Sequence, residues 1–213
     1  MTDERLASMT VGGFLNVLGS DAPTPGGGAA GAIAGATGAA LMAMVGRLTV
    51  GKPGFEEVDQ RMRTLVEQAD VARVALLDLA DRDAHAFDGV MVAFKMPKGT
   101  DDEKAARSAA IQAGYEQAAS VPLEIAQTAV DLMGLAEDAT AMGNPQAASD
   151  GVSGAVLLYC AALCAIANVE INAASLKDAG RRSALLDTVA TLRGRADQSV
   201  RESQTAFQIR LSS

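Results

Sequence analysis

One acid in this 213-residue chain stands where an apolar residue belongs. Val58, Met62, Leu65, Ala69, Ala72, Leu76 and Ala80 recur at steps of three and four, and Phe87, Met91 and Phe94 continue the series. That spacing marks one face of a long helix. The position joining Ala80 to Phe87 is Asp83, so a carboxylate interrupts a seam that should be buried. Taking an unpaired carboxylate out of water is costly and is relieved by a partner or by a raised pKa. A carboxyl with a raised pKa is suited to general acid–base work near neutral pH. An Asp paired with an Arg, or capping a neighbouring helix, produces the same pattern, and periodicity alone does not separate the two readings.

The second stretch with chemical content runs from Ser20 to Lys52. Asp21 and Arg47 bracket a run without a charge, opened by Pro23, Pro25 and the glycines Gly26, Gly27 and Gly28. Gly27, Gly31 and Gly35 then fall on one stripe of a predicted helix. Each glycine inside a helix costs about 1 kcal/mol against alanine, so a compensating gain is expected. Either another helix packs unusually close, or a flat ligand lies on bare backbone. At the head of the helix, unpaired N–H groups favour an anionic or polar group. No Gly-Lys-Ser/Thr follows these glycines and no strand precedes them, which excludes a nucleotide P-loop.

Other candidate groups carry weaker signals. Asp78, Asp81, His85 and Asp88 share the opposite face of the Asp83 helix, which fits a solvated face better than a metal site. His85 lies about 200° around the helix from Asp83, so the two do not cooperate. Cys160 and Cys164, the only cysteines, read as small core residues of a reduced, cytoplasmic protein. In the helix after Asn144, the residues Asp150, Gly154, Leu157, Ala161, Cys164, Asn168 and Asn172 share a face. Its polar ends either line a groove or serve as caps and inter-helix hydrogen bonds.

The elements that must position these groups are helical. Alanine, leucine and methionine dominate while aromatic and β-branched residues are scarce, predicting an all-α, single-domain helical bundle over residues 1–213 with long buried Gly/Ala-rich helices. A short helix is expected around Thr10–Gly19, the glycine-rich helix to about Val50, and one long helix over roughly Phe55 to Lys95. Thr100–Glu103 reads as a capping box, Ser120-Val121-Pro122 as a restart running to about Met142, and Lys177–Leu211 as a last amphipathic helix. A net charge of −8 disfavours a nucleic-acid partner, and no secretory signal is evident. Two uncharged runs, Ala22–Gly46 and Gly151–Val169, are long enough for membrane spans. They lack aromatic belts and basic flanks, so helices buried all round in an oligomer are expected instead, with no membrane partner.

Four blocks, PTPGGGAAGAIAGATGAALMAMVGRLTVGK, DRDAHAFDGVMVAFKMPKGTDDEKAAR, AAIQAGYEQAASVPLEIA and GNPQAASDGVSGA, occur in order. Together they resemble the formiminotransferase–cyclodeaminase C-terminal family, which includes stand-alone bacterial methenyltetrahydrofolate cyclohydrolases. The resemblance implies an all-α homodimer with a folate-binding cleft built partly from the glycine-rich segment. Its catalytic aspartate falls in Asp83-Ala84-His85-Ala86-Phe87, the same Asp83 that periodicity singles out. The family's Leu-Pro-Lys is here Met96-Pro97-Lys98, which makes Lys98 a second expected catalytic residue, holding a folate oxygen or carboxylate and favouring ionised Asp83. Pro25, Gly26, Gly27, Gly28, Asn144, Ser149 and Asp150 are the implied substrate-binding residues. No metal and no redox cofactor is implied. Both activities of the family act on the one-carbon bridge of a reduced folate. With no room in the chain for a formiminotransferase domain, the cyclohydrolase is expected rather than the ammonia-releasing cyclodeaminase; the alternative from another class is a non-catalytic helical dimer or small-molecule binder in which Asp83 is structural.

Overall fold

A computed structural model describes residues 5–212. Among them run α1 (Val11–Leu18), α2 (Gly27–Thr49), α3 (Asp59–Ala86), α4 (Asp88–Phe94), α5 (Asp101–Met133), α6 (Ala136–Met142), α7 (Ala148–Ala174) and α8 (Ala179–Leu211), with 3-10 turns at Leu6–Ser8 and Pro145–Ala147 and no strand. The all-α class therefore holds. The glycine-rich α2 is central, packed between α3 and α7; α5 lies across α7 and α3, and α8 covers another side of α7.

The glycine stripe explains the centre. A Cβ at Gly31 would lie 2.7 Å from the Cys164 Cβ, one at Gly35 2.8 Å from the Ala161 Cβ, and one at Gly38 2.8 Å from the Gly154 carbonyl oxygen. α2 and α7 thus run antiparallel with backbones nearly touching, and dispersion across that contact offsets the low helix propensity of glycine. Toward the other end of α2, Gly46 does the same for α3, where a Cβ would lie 2.6 Å from Val66 Cγ2. Close helix packing is the gain along most of the stripe.

Several expectations need correction. The helix predicted over Phe55–Lys95 starts at Asp59 and breaks at Phe87, which ends α3 and opens α4. The break lets α4 lie on α5, where Gly114 admits Val90 (a Cβ there would meet Val90 Cγ2 at 3.0 Å). Val90 and Ala93 are therefore the buried residues of α4, while Phe87, Met91 and Phe94 are 39%, 47% and 43% exposed. The restart predicted at Ser120 does not occur: α5 carries Pro122 in its interior and ends only at Met133. Proline removes the donor that the Ala118 carbonyl would otherwise receive. The Asn172 side-chain amide replaces it, Nδ2 donating to Ala118 O at 2.9 Å. The capping box at Thr100 and Glu103 is present as predicted.

Cys160 and Cys164 are exposed rather than buried. α7 turns Ala161, Ala165 and Gly154 inward and Ser149, Ser153, Cys160, Cys164, Ala167 and Ile171 outward. α2 likewise exposes Thr37, Ala40, Met44 and Leu48. Both helices are long and apolar enough to cross a membrane by length and composition, yet each has one face packed within this chain and one open, not burial all round.

The packing makes a contrasting prediction. Gly35→Ala is expected to destabilise by about 1–3 kcal/mol through overpacking against Ala161. Gly194→Ala, in α8 with nothing within 4 Å of the added Cβ, should stabilise by about 0.5–1 kcal/mol. Urea denaturation of the two variants checks both signs.

Candidate functional site

α2 begins without a side-chain cap, because its N-cap residue is Gly26. The first-turn N–H groups are left open, and Asp83 occupies the space in front of them. Its carboxylate accepts the Ala29 N–H and sits where the side chain of residue 28 would be. A Cβ on Gly28 would lie 2.6 Å from Asp83 Cγ and closer still to both oxygens. Gly28 is thus the residue that admits the acid, whereas its neighbours on the stripe admit α7. Asp83 is half-buried. Burial pushes its pKa up, the Ala29 N–H at the positive end of α2 pulls part of the way back, and the net position is above the ordinary carboxylate value. Of the two readings left open by periodicity, pairing with an Arg is absent among the described residues, and Asp83 both caps α2 and faces a cleft.

α3 holds this carboxylate from both flanks. Leu79, Ala80 and Ala84 are buried around it. Arg82 makes a two-pronged pair with Glu124 of α5 at 2.7 and 2.9 Å. Asp81 accepts the Leu6 N–H at 2.7 Å and the Arg5 Nε at 2.8 Å, and Asp78 also receives Arg5. His85 is exposed, with Nδ1 2.8 Å from the Asp81 carbonyl. Among the described residues no group of three or more His, Cys, Asp and Glu side chains could hold a metal. The Asp78–Asp88 face is a tether for the start of the chain.

The cleft in front of Asp83 has a volume of about 360 Å³. Pro23, Thr24 and Gly26–Gly28 form its floor, Phe87 and Tyr115 one wall, and Asn168, Ile171, Asn172 and Ser175 the other. Phe87 and Tyr115 meet edge to face, with ring centroids 6.3 Å apart. Asn172 is anchored through Ala118, and Asn168 Nδ2 donates to the Cys164 carbonyl at 2.8 Å. Each leaves an amide oxygen without a protein partner among the described residues. An aromatic wall, a polar wall and a floor of backbone N–H groups suit a flat ring with heteroatoms on its edge. The acid then lies beside that edge, placed to move a proton.

The predicted site residues separate into three groups. Gly26, Gly27 and Gly28 line the cleft with Asp83, while Pro25 is buried behind the turn. Lys98 lies in an adjoining depression with Lys104, Arg107 and Lys177 and does not act on the Asp83 charge. Asn144 is at the other end of α2, a helix rising ~34 Å. There its backbone N–H donates to Thr49 Oγ1 at 2.9 Å and its side chain caps the Pro145–Ala147 turn. Ser149 and Asp150 begin α7 at that same far end. Sequence reasoning missed Thr24, Phe87, Tyr115, Ile171 and Ser175. Asn168 and Asn172, four apart in an apolar helix, were the readable signal for the polar wall. A larger cleft of about 1100 Å³ opens between the 54–58 turn, α6 and α8. Its Arg210 is spent on the carbonyls of Thr140, Ala141 and Gly143, closing the end of α6.

The fold and cleft define a helical protein with one acid poised at a bare helix N-terminus. The family model for formiminotransferase-cyclodeaminase matches residues 10–191. The chain belongs to this family. It is 41% identical over 169 residues to a methenyltetrahydrofolate cyclohydrolase of Methylorubrum extorquens, a match covering 79% of this chain and 81% of that protein. It is 35% identical to the formimidoyltransferase-cyclodeaminase of Mus musculus over 83% of this chain and 32% of that one, so it spans about a third of the animal protein's length. The crystal structure of formiminotetrahydrofolate cyclodeaminase from Thermotoga maritima superposes with a TM-score of 0.86 at 30% identity, over 95% of this chain and 98% of the other.

The raised pKa of Asp83 has a thermodynamic consequence. Its contribution to stability is complete below the unfolded-state pKa and is lost as pH rises through the higher folded-state value. Asp83→Asn, which keeps an acceptor for the Ala29 N–H, should therefore raise Tm at pH values above the folded-state pKa and lose that advantage in acid. Calorimetry across pH reads the difference.

Proposed function

We propose that this cleft hydrolyses 5,10-methenyltetrahydrofolate to 10-formyltetrahydrofolate, with Asp83 as the general acid–base. The observation that carries the reading is the half-buried Asp83 carboxyl with its raised pKa, held against the Gly28 backbone in a cleft lined by Phe87, Tyr115, Asn168 and Asn172. The bridge carbon of the substrate belongs to an amidinium cation and is already electrophilic. Asp83 takes a proton from water as the water oxygen bonds to that carbon. It returns the proton to the ring nitrogen as the carbon–nitrogen bond breaks, and the hydroxyl on the bridge carbon releases its remaining proton to solvent as it becomes the formyl C=O on the other nitrogen. The Gly27 and Gly28 N–H groups and the Asn168 and Asn172 amides would orient the pterin edge, and no metal or redox cofactor is invoked. The 41% identity to a cyclohydrolase over most of both chains favours hydrolysis. The fold shared with a cyclodeaminase keeps the ammonia-releasing ring closure as the second reading.

The reading extends to a homodimer. The open faces of α2 and α7 are contiguous, apolar and dotted with Thr37, Ser149, Ser153 and two thiols. Ile171, 69% exposed, belongs both to this face and to the rim of the cleft. A second copy related by a two-fold axis across the middle of the face would cover it and bring the partner's Ser149 and Asp150 beside Asp83. This would give those two residues the substrate-binding role that one chain alone does not, with Asn144 holding the turn that precedes them. Free thiols suit a reducing, cytoplasmic setting.

Loss of methenyltetrahydrofolate absorbance tests the reaction. Asp83→Asn should lower kcat by about 10²–10⁴-fold, and the wild-type rate should fall with acidification through a limb above the ordinary carboxylate range. Unchanged turnover removes Asp83 from the chemistry, and faster turnover of formiminotetrahydrofolate than of the methenyl compound selects the second reading. For the shared site, Asp83→Asn and Asp150→Asn chains mixed under exchange should recover activity that neither has alone, because one site of each mixed dimer keeps both acids. No recovery, with exchange verified by mass, would place Asp150 outside the site.

A further inference from the structure

We propose that Pro122, which lies outside the cleft, is a positioning residue for the substrate: it fixes Asn172 as a hydrogen-bond acceptor for the N–H edge of the pterin, an assignment that rests on the folate reading. In an α-helix each carbonyl accepts from the residue four places on, so the Ala118 carbonyl would ordinarily receive the N–H of residue 122. Proline has no N–H to give, and Pro122 is buried in the interior of α5. The missing donor comes from α7, where Asn172 Nδ2 donates to Ala118 O at 2.9 Å. A carbonyl can only accept, so the NH2 end of the amide is the end that must face it. The other end, Oδ1, is left to the cleft that Ala118 and Asn172 both line.

Asn168 reaches the same polarity by a different route. Its Nδ2 donates to the Cys164 carbonyl of its own helix at 2.8 Å, and it lines the cleft one turn before Asn172, ~6 Å along α7. With both NH2 ends committed to backbone carbonyls, the two amide oxygens are the groups left to a ligand. An anionic edge would gain nothing from a pair of oxygens. The pyrimidinone ring of a pterin instead carries a ring N–H and an amino group side by side on one edge, and both are donors. Asn168 is held within α7 alone and would keep its orientation whatever α5 supplied. Asn172 is held from α5, and only because residue 122 withholds its N–H. An alanine at 122 would close α5 by itself and release the Asn172 amide to turn.

The test is a double-mutant cycle on the full chain, reading kcat and KM for methenyltetrahydrofolate and the urea midpoint in wild type, Pro122→Ala, Asn172→Ala and the double variant. Asn172→Ala should lower the midpoint, because the Ala118 carbonyl loses its donor, and should raise KM about tenfold with little change in kcat. Pro122→Ala should keep or raise the midpoint and still raise KM, by about threefold, since the amide is no longer held. In the double variant α5 supplies its own donor, so the midpoint should return to that of Pro122→Ala while KM stays about tenfold above wild type. This separates repair of the helix from contact with the substrate even if Asn172→Ala alone folds poorly. Recovery of the wild-type KM together with the midpoint would make Asn172 a repair of α5 and nothing more. An unchanged KM in Pro122→Ala would mean that the amide is held without the proline. Either result overturns the proposal. Absence of methenyltetrahydrofolate turnover in the wild type would instead overturn the folate reading, and the proposal with it.

Discussion

The Asp83 carboxylate and the Gly28 backbone share a space that a side chain on residue 28 would fill, and the arrangement of α2 against α3 follows from that contact. An acid brought this close to a helix start is pulled in two directions. Loss of water raises its pKa, while the open N–H groups and the dipole of α2 favour its ionised form. With a cation alongside, the second effect would dominate and the group would be a permanent carboxylate. With no N–H donor, desolvation would raise its pKa further. Among the described residues Asp83 has one donor, Ala29, and no cation, and desolvation is the larger effect, so its pKa lies above the ordinary carboxylate value. A raised pKa also means that ionising Asp83 costs the folded state stability.

Keeping that contact in place requires helices that approach more closely than ordinary side chains allow. Gly31, Gly35 and Gly38 bring α7 onto α2, and Gly46 brings α3 onto the same helix near its other end. α7 then carries Asn168 and Asn172 to the cleft as a rigid pair. Asn172 also closes the hydrogen-bond gap that Pro122 opens in α5, so the helix bearing Tyr115 is tied to the wall it faces. One side chain fixes the spacing of two walls, and the aromatic pair Phe87–Tyr115 completes the link to α3.

How much of this the sequence discloses depends on whether a feature interrupts a pattern. Asp83 interrupts an apolar period and is visible for that reason; the glycine stripe is visible because helices avoid glycine. The end of α3 at Phe87 is not visible, since Phe87, Met91 and Phe94 continue the period that they in fact leave. Pro122 suggests a break because the repair comes from Asn172, fifty residues away in the chain. Cys160 and Cys164 look like core residues because an apolar face reads alike whether this chain covers it or leaves it open. Ile171 and Ser175 reach the cleft through the crossing of α7 with α5, which no local spacing encodes.

Motif order along the chain says nothing of distance across it, and the block from Asn144 to Asp150 illustrates the point. It accompanies the Asp83 block in sequence, yet the length of α2 lies between them in one chain. A purely structural role accounts for Asn144, whose side chain and backbone are committed to the turn and to Thr49. It does not account for Ser149, which is exposed on the same stripe as Cys160, Cys164 and Ile171. The proposed two-fold pairing would set the hydroxyls at one end of this face against the cleft mouth at the other. Pairing of that face with itself would cover the apolar surface and join the separated blocks through the same contact.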